Sequence, residues 1–222
     1  MAGLLSREIP PHEEASPVQE AGPEWPDRVP FQPPGREDMR LYDTTNILTV
    51  WNGGEADLTE EEREILDAAS GVLAELAAED MSGYDKELAV YGWLAGHAAY
   101  DQDHYDPVNG APRESYTPYN PLTAGKGVCL GFATTFQLLM DMWDVECITV
   151  VGASQYSQRD HAWNMVRLDG NWYCVDVTWD LGSEDPRNWR YFNVTSDYMA
   201  RSNHQWDYGS VPEAVAGDRG RG

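Results

Sequence analysis

Hydrophobic positions along this chain switch between two spacings, and the switches mark its elements. Ile65, Leu66, Ala69, Val72, Leu73 and Leu76 recur at helical spacing. They follow Thr59-Glu60-Glu61-Glu62, a capping box whose acids suit the positive end of a helix that should finish near Glu79. Residues 82–97 predict a second helix with Leu88, Tyr91 and Leu94 inward. Residues 43–51 read as a short strand or an irregular segment, broken by Asn52-Gly53-Gly54. A further helical stretch opens at Cys129, with Leu130, Ala133, Phe136 and Met140 on one face and Leu138 and Leu139 beside them. The β-branched run at residues 147–152 predicts a strand, residues 191–194 another, and residues 196–201 a short helix.

The alternation is sharpest around Asp169-Gly170, where two runs rich in β-formers flank the strongest short-range signal for a two-residue hairpin. Taken literally, that turn sets Leu168 opposite Asn171, Arg167 opposite Trp172, Trp163 opposite Asp176 and His161 opposite Thr178. His161, Trp163, Asp176 and Thr178 then share a face, and His161 and Asp176 are diagonal neighbours within reach of each other. A carboxylate there can hold an imidazole in one tautomer and favour its charged form.

Cys129, approached through Gly125 and Gly127, falls in the first turn of its helix, where unpaired N–H groups and the helix dipole favour an anion. Alone it would read as a small buried core residue. Together with His161 and Asp176 it supplies what thiolate acyl transfer needs: a nucleophile, a base that takes the thiol proton and later protonates the leaving group, and an orienting acid.

Three blocks now resemble a family. Gly127-Val128-Cys129-Leu130-Gly131-Phe132-Ala133, His161-Ala162-Trp163-Asn164 and Trp172-Tyr173-Cys174-Val175-Asp176-Val177-Thr178-Trp179-Asp180 are similar, in order and spacing, to the transglutaminase-like superfamily, and most similar to its bacterial members. The resemblance implies an α+β fold. Its papain-like core would pack the nucleophile helix on an antiparallel sheet carrying His and Asp, here with extra N-terminal helices. It also implies Cys129, His161 and Asp176 as the catalytic triad. It does not choose between cross-linking and hydrolysis, since the superfamily includes transglutaminases, proteases, other amide hydrolases and inactive relatives. Bacterial relatives with short, domain-only chains tilt the expectation to a peptidase or amide hydrolase working through a Cys129 thioester. Transfer to an amine and a non-catalytic binding module are the alternatives. An oxyanion hole would need the Cys129 amide plus a second donor, for which Gln102, Tyr119 and Asn120 are candidates, with Trp163 as a substrate-facing ring. His204 and Trp206 resemble a recurrent C-terminal feature of these relatives whose role the residues leave open.

Composition narrows the partners. The 222 residues are 41% hydrophobic and 11% aromatic, enough for one substantial core. A formal net charge of −23 argues against nucleic acid, whose binders need a basic footprint, and leaves a protein or peptide substrate as the expected partner. No apolar run approaches the length of a membrane span. No cofactor is expected, and Cys and His show no metal-ligand spacing. The oxygen-rich loop at residues 100–110, which includes His104, lacks the sixth-position Gly and closing Glu of an EF-hand, so it reads as an acidic cleft rim. Residues 1–38 are an acidic, Pro-rich segment expected to be a disordered linker, residues 39–208 the catalytic domain, and residues 209–222 a disordered tail. Such a linker suits an extracellular or cell-surface protein whose signal is absent from this sequence, the alternative being the cytoplasm. Three cysteines are an odd count; a Cys147–Cys174 disulfide is conceivable, and Cys174 could approach the cleft.

Overall fold

In the computed structural model, residues 39–103, 110–154 and 159–216 are described. The expectations for residues 1–38 and 217–222, and for His104 and its neighbours at 104–109, lie outside them. Helix α5 (Cys129–Met142) is the centre of the fold, and among its residues just Gln137 and Asp141 are not buried. Against it packs an antiparallel sheet of four strands in the order β5-β4-β3-β6, formed by β3 (Cys147–Ser154), β4 (Asp160–Leu168), β5 (Asn171–Val175) and β6 (His204–Gln205). Mixed helix and sheet, with the Cys129 helix on an antiparallel sheet, is the α+β arrangement expected.

The hairpin register is the one the Asp-Gly turn dictates, with Leu168 opposite Asn171 and Arg167 opposite Trp172. Asp169 and Gly170 both take positive φ, 46° and 83°, as a two-residue turn of this hand requires. The ladder stops three pairs short of expectation, at Asn164 opposite Val175. Asp176 instead caps a 3-10 turn (Val177–Asp180), its side chain accepting from the Thr178 amide, so Thr178 does not face His161 across the sheet.

The two sheet faces hold separate clusters. Val166, Leu168, Tyr173 and Val175 point to α5, α2 (Glu60–Leu76) and α3 (Gly83–His97). Val150, Trp163, Met165 and Cys174 point to α6 (Ser196–Arg201) and the C-terminal segment. Cys147 lies in the first cluster and Cys174 in the second, so the conceivable disulfide is absent and all three cysteines are free thiols. Cys174 is fully buried beside Ser196.

Both N-terminal helices begin with capping boxes, Thr59 with Glu62 and Ser82 with Asp85. Residues 43–51 are not a strand: Thr45–Trp51 is a helix, α1, opened by the Asp43 carboxylate accepting from the Thr45 amide. Ile47 is buried, and the Trp51 indole N–H reaches the Met142 carbonyl at the end of α5. The expected strand at 191–194 is reduced to one bridge, Val194 with Cys174. Past Tyr208 the chain stays packed for a few residues: Ala214 is buried and exchanges hydrogen bonds with Ser196.

Two short segments place the nucleophile. Strand β1 (Ala99–Tyr100) pairs in parallel with β2 (Lys126–Gly127), tying the approach to Cys129 to the end of α3. A 3-10 turn (Arg113–Tyr116), followed by helix α4 (Tyr119–Thr123), crosses the start of α5, and the Val128 amide donates to the Ser115 carbonyl at 3.0 Å. Gly131 makes that crossing possible, because a Cβ there would lie 2.2 Å from the Ser115 carbonyl oxygen. Backbone cannot yield as a side chain can, so Gly131→Ala should lower stability by about 1–3 kcal/mol, read as a lower urea midpoint at unchanged slope. An unshifted midpoint would show that the crossing is loose.

Candidate active site

Cys129 is the first residue of α5, and the residue before it, Val128, offers no side-chain acceptor to the first-turn amides. A helix start without a Ser, Thr, Asp or Asn cap gives up stability but leaves amides facing the thiol. Cys129 is 5% exposed. His161 stands at the start of β4, fixed opposite Gly152 of β3, and is equally buried. Its ring lies close enough to Cys129 for the thiol to bear on its charge, and its Nε2 donates to Asp176 Oδ2 at 2.6 Å. Nε2 is thereby taken, which leaves Nδ1 for the thiol.

Asp176 is held at every polar atom. Oδ2 accepts from His161 and, at 3.0 Å, from His204 Nε2; Oδ1 accepts from the Thr178 amide at 3.0 Å. Its amide donates to the Tyr191 carbonyl, and its carbonyl accepts from the Tyr91 hydroxyl of α3. Tyr91 also reaches Asp180, whose carboxylate takes the Arg190 and Tyr191 amides. Burial raises Asp180 above its ordinary value despite these bonds.

Electrostatics follow from this geometry. Burial alone would push the His161 imidazole down, but the Asp176 charge, the hydrogen bond to it and Cys129 together raise it to about 10. Burial works against the Asp176 charge too, yet the His161 and His204 rings hold its carboxyl well below the usual range. Both rings sit in an aromatic wall. Trp179 lies 4.8 Å from His161 at 23° to its plane, and Trp163 stacks with the same ring at 5.8 Å.

The structure thus brings Cys129, His161 and Asp176 together. Trp163 is 1% exposed and backs the imidazole. Tyr119 turns to α2, its hydroxyl donating to Glu64 at 2.6 Å. Asn120 donates to Ser115 Oγ at 3.1 Å, and that hydroxyl bonds Asp101 at 2.7 Å, a chain behind the nucleophile loop. Gln102 is exposed at the end of β1. Sequence reasoning assigned no role to Trp179, His204 or Asp101. Trp179 was within reach as part of a matched block; β6 spans two residues, too few for any periodicity to reveal.

Among the described residues, His161, Asp176 and His204 are a group whose ligand atoms lie within 4.8 Å of one another, a composition that could hold a metal ion. Both Nε2 atoms are directed at Asp176 Oδ2 itself, so the cluster is joined by protons.

A buried thiol at a helix start thus lies beside an imidazole on an antiparallel sheet, and the imidazole bonds a buried carboxylate just past the end of that sheet. Residues 71–177, which contain all three groups, match the family model of the transglutaminase-like superfamily. It is 30% identical over 124 residues to kyphoscoliosis peptidase of Mus musculus, a stretch that is 51% of this chain and 18% of that protein. The chain therefore spans less than a fifth of the curated relatives it matches. Among solved structures it is similar to a TGase, at 23% identity and a TM-score of 0.44 over 59% of this chain and 36% of that one. It is also similar to calcium-bound LapG of Legionella pneumophila, at 12% identity and a TM-score of 0.44 over 81% of this chain and 96% of that one.

The raised value of His161 carries a stability consequence. A histidine that holds its proton more tightly folded than unfolded stabilises fully below its ordinary value of 6.5 and loses that contribution as pH rises through about 10. The difference in unfolding free energy between wild type and His161→Gln, from urea titrations, should shrink steadily from pH 6 to pH 10. A constant difference would show that the imidazole is not charged in the fold.

Proposed function

We propose that the protein is a cysteine-dependent acyl-transfer enzyme, most simply a peptidase or amide hydrolase, with Cys129 as nucleophile, His161 as acid and base, and Asp176 as orienter. The observation that carries this reading is the juxtaposition of Cys129, His161 and Asp176, with His161 bonded to Asp176, at an uncapped helix start. In the acylation step Cys129 Sγ bonds to the carbonyl carbon of an amide, the C–N bond breaks, and the imidazolium proton of His161 passes to the departing amine. Water then attacks the thioester, His161 takes its proton, the acid leaves, and the thiolate–imidazolium pair is restored. The Cys129 amide can face the oxyanion, with Gln102, Tyr119 or Asn120 as the candidate for a second donor. Tyr119 and Asn120 would first have to leave Glu64 and Ser115.

A protein or peptide substrate is supported by the peptidase name of the curated relative. Transfer of the same thioester to an amine is the second reading, supported by the superfamily that the chain matches. Among the described residues no helix is long and apolar enough to cross a membrane.

Iodoacetamide labelling against pH tests the reading without a known substrate. Labelling at Cys129 should stay fast at pH 6, vanish in Cys129→Ala and fall in His161→Ala. On a peptide mixture either variant should lose activity by about 10³-fold or more, and added primary amine should leave the hydrolysis products of wild type unchanged. Amine-linked products would favour transamidation. Labelling that ignores His161 would contradict the enzyme reading and favour a binding module.

A further inference from the structure

His204 lies outside the matched segment, yet it shares the Asp176 oxygen that orients His161. It is fully buried on β6, where it pairs with Ser154 at the far edge of the sheet from β5. Its Nε2 donates to Asp176 Oδ2 at 3.0 Å, alongside the 2.6 Å bond from His161. Three rings enclose it: Trp179 at 4.2 Å, Trp163 edge-on at 4.9 Å and Tyr191 at 5.4 Å. We propose that His204 is a positioning residue of the acyl-transfer site, which holds the Asp176 carboxylate in the rotation that presents Oδ2 to His161. The proposal rests on the function given above, and extends the triad by a fourth group supplied from the C-terminal end of the domain.

Three donors on two oxygens explain why this works. Thr178 fixes Oδ1, whereas Oδ2 carries a mobile partner, the imidazole that must shuttle a proton. With His161 as its sole partner, Oδ2 would be free to follow that ring or turn from it. A second, immobile donor makes the carboxylate a fixed reference. Burial lowers His204 from its ordinary value, against the Asp176 hydrogen bond and charge that raise it. The other titratable groups around the carboxylate are Tyr91 on α3, Asp180 on the turn that follows, Tyr191 and Cys129. Apart from His161 itself, none of these is a standing positive charge that could replace the His204 bond. A purely structural histidine would serve equally well as any apolar ring of its size; a positioning one needs its proton at Nε2.

The test uses His204→Phe, which keeps the ring volume and removes the donor, and His204→Gln, whose amide can donate from the same reach. In ¹⁵N-histidine NMR spectra of the wild type, the His204 Nε2 should remain protonated from pH 5 to pH 9. In His204→Phe the hydrogen-bonded His161 Nε2–H signal should shift or broaden, and Cys129 labelling at pH 6 should slow about tenfold. In His204→Gln both should return to within about threefold of wild type at a similar melting temperature. An unprotonated His204 Nε2 in wild type overturns the proposal even if neither variant folds. So does a folded His204→Phe with an unchanged His161 signal and an unchanged labelling profile. If wild-type labelling itself ignores His161, the acyl-transfer reading fails, and the His161 Nε2–H signal still decides whether His204 positions the carboxylate.

Discussion

A carboxylate with almost no exposure is costly unless every lone pair is met, and Asp176 is that group here. Meeting it draws in the ends of elements far apart in the chain: His161 from the start of β4, His204 from β6, Thr178 from the turn after β5, and Tyr91 from α3 through the backbone. Each bond individually is modest, but removing one leaves the others holding an uncompensated charge. The same demand that stabilises the middle of the fold therefore aims the imidazole at Cys129. Structure and chemistry share one constraint.

The helix that presents the thiol shows the complementary economy. Helices α2 and α3 carry full capping boxes, and Thr195 caps α6. The buried α5 starts at Val128 without one, and its core contacts hold it instead. Local stability is spent where packing can replace it and kept where a helix is half exposed.

Much of this was legible in the residues. The Asp169-Gly170 turn gave the hairpin register, and with it the nearness of His161 and Asp176; the helical spacing from Leu130 to Met140 gave the central helix. What failed did so for local reasons. The helix at residues 45–51 carries β-branched residues that imitate a strand, and its helicity comes from docking Ile47 and Trp51 on the core. Asp176 left the ladder because a cap bond to Thr178 competes with strand pairing. The role of His204 depends on a two-residue strand joining the sheet edge, a contact between distant segments that no spacing encodes. Gly131 read as part of a motif, while its need for close backbone approach to Ser115 emerges from the crossing itself.

The account stands or falls on the charge state of the buried thiol and imidazole as a pair. ¹³C NMR of protein labelled at cysteine Cβ reads it directly, with Cys129→Ala assigning the resonance among the three cysteines. The account predicts that at neutral pH the Cys129 carbon shows the shift of a thiolate, and that it reverts to a thiol in His161→Ala. A Cys129 carbon that shows a thiol at neutral pH, with the same profile in wild type and His161→Ala, would contradict it.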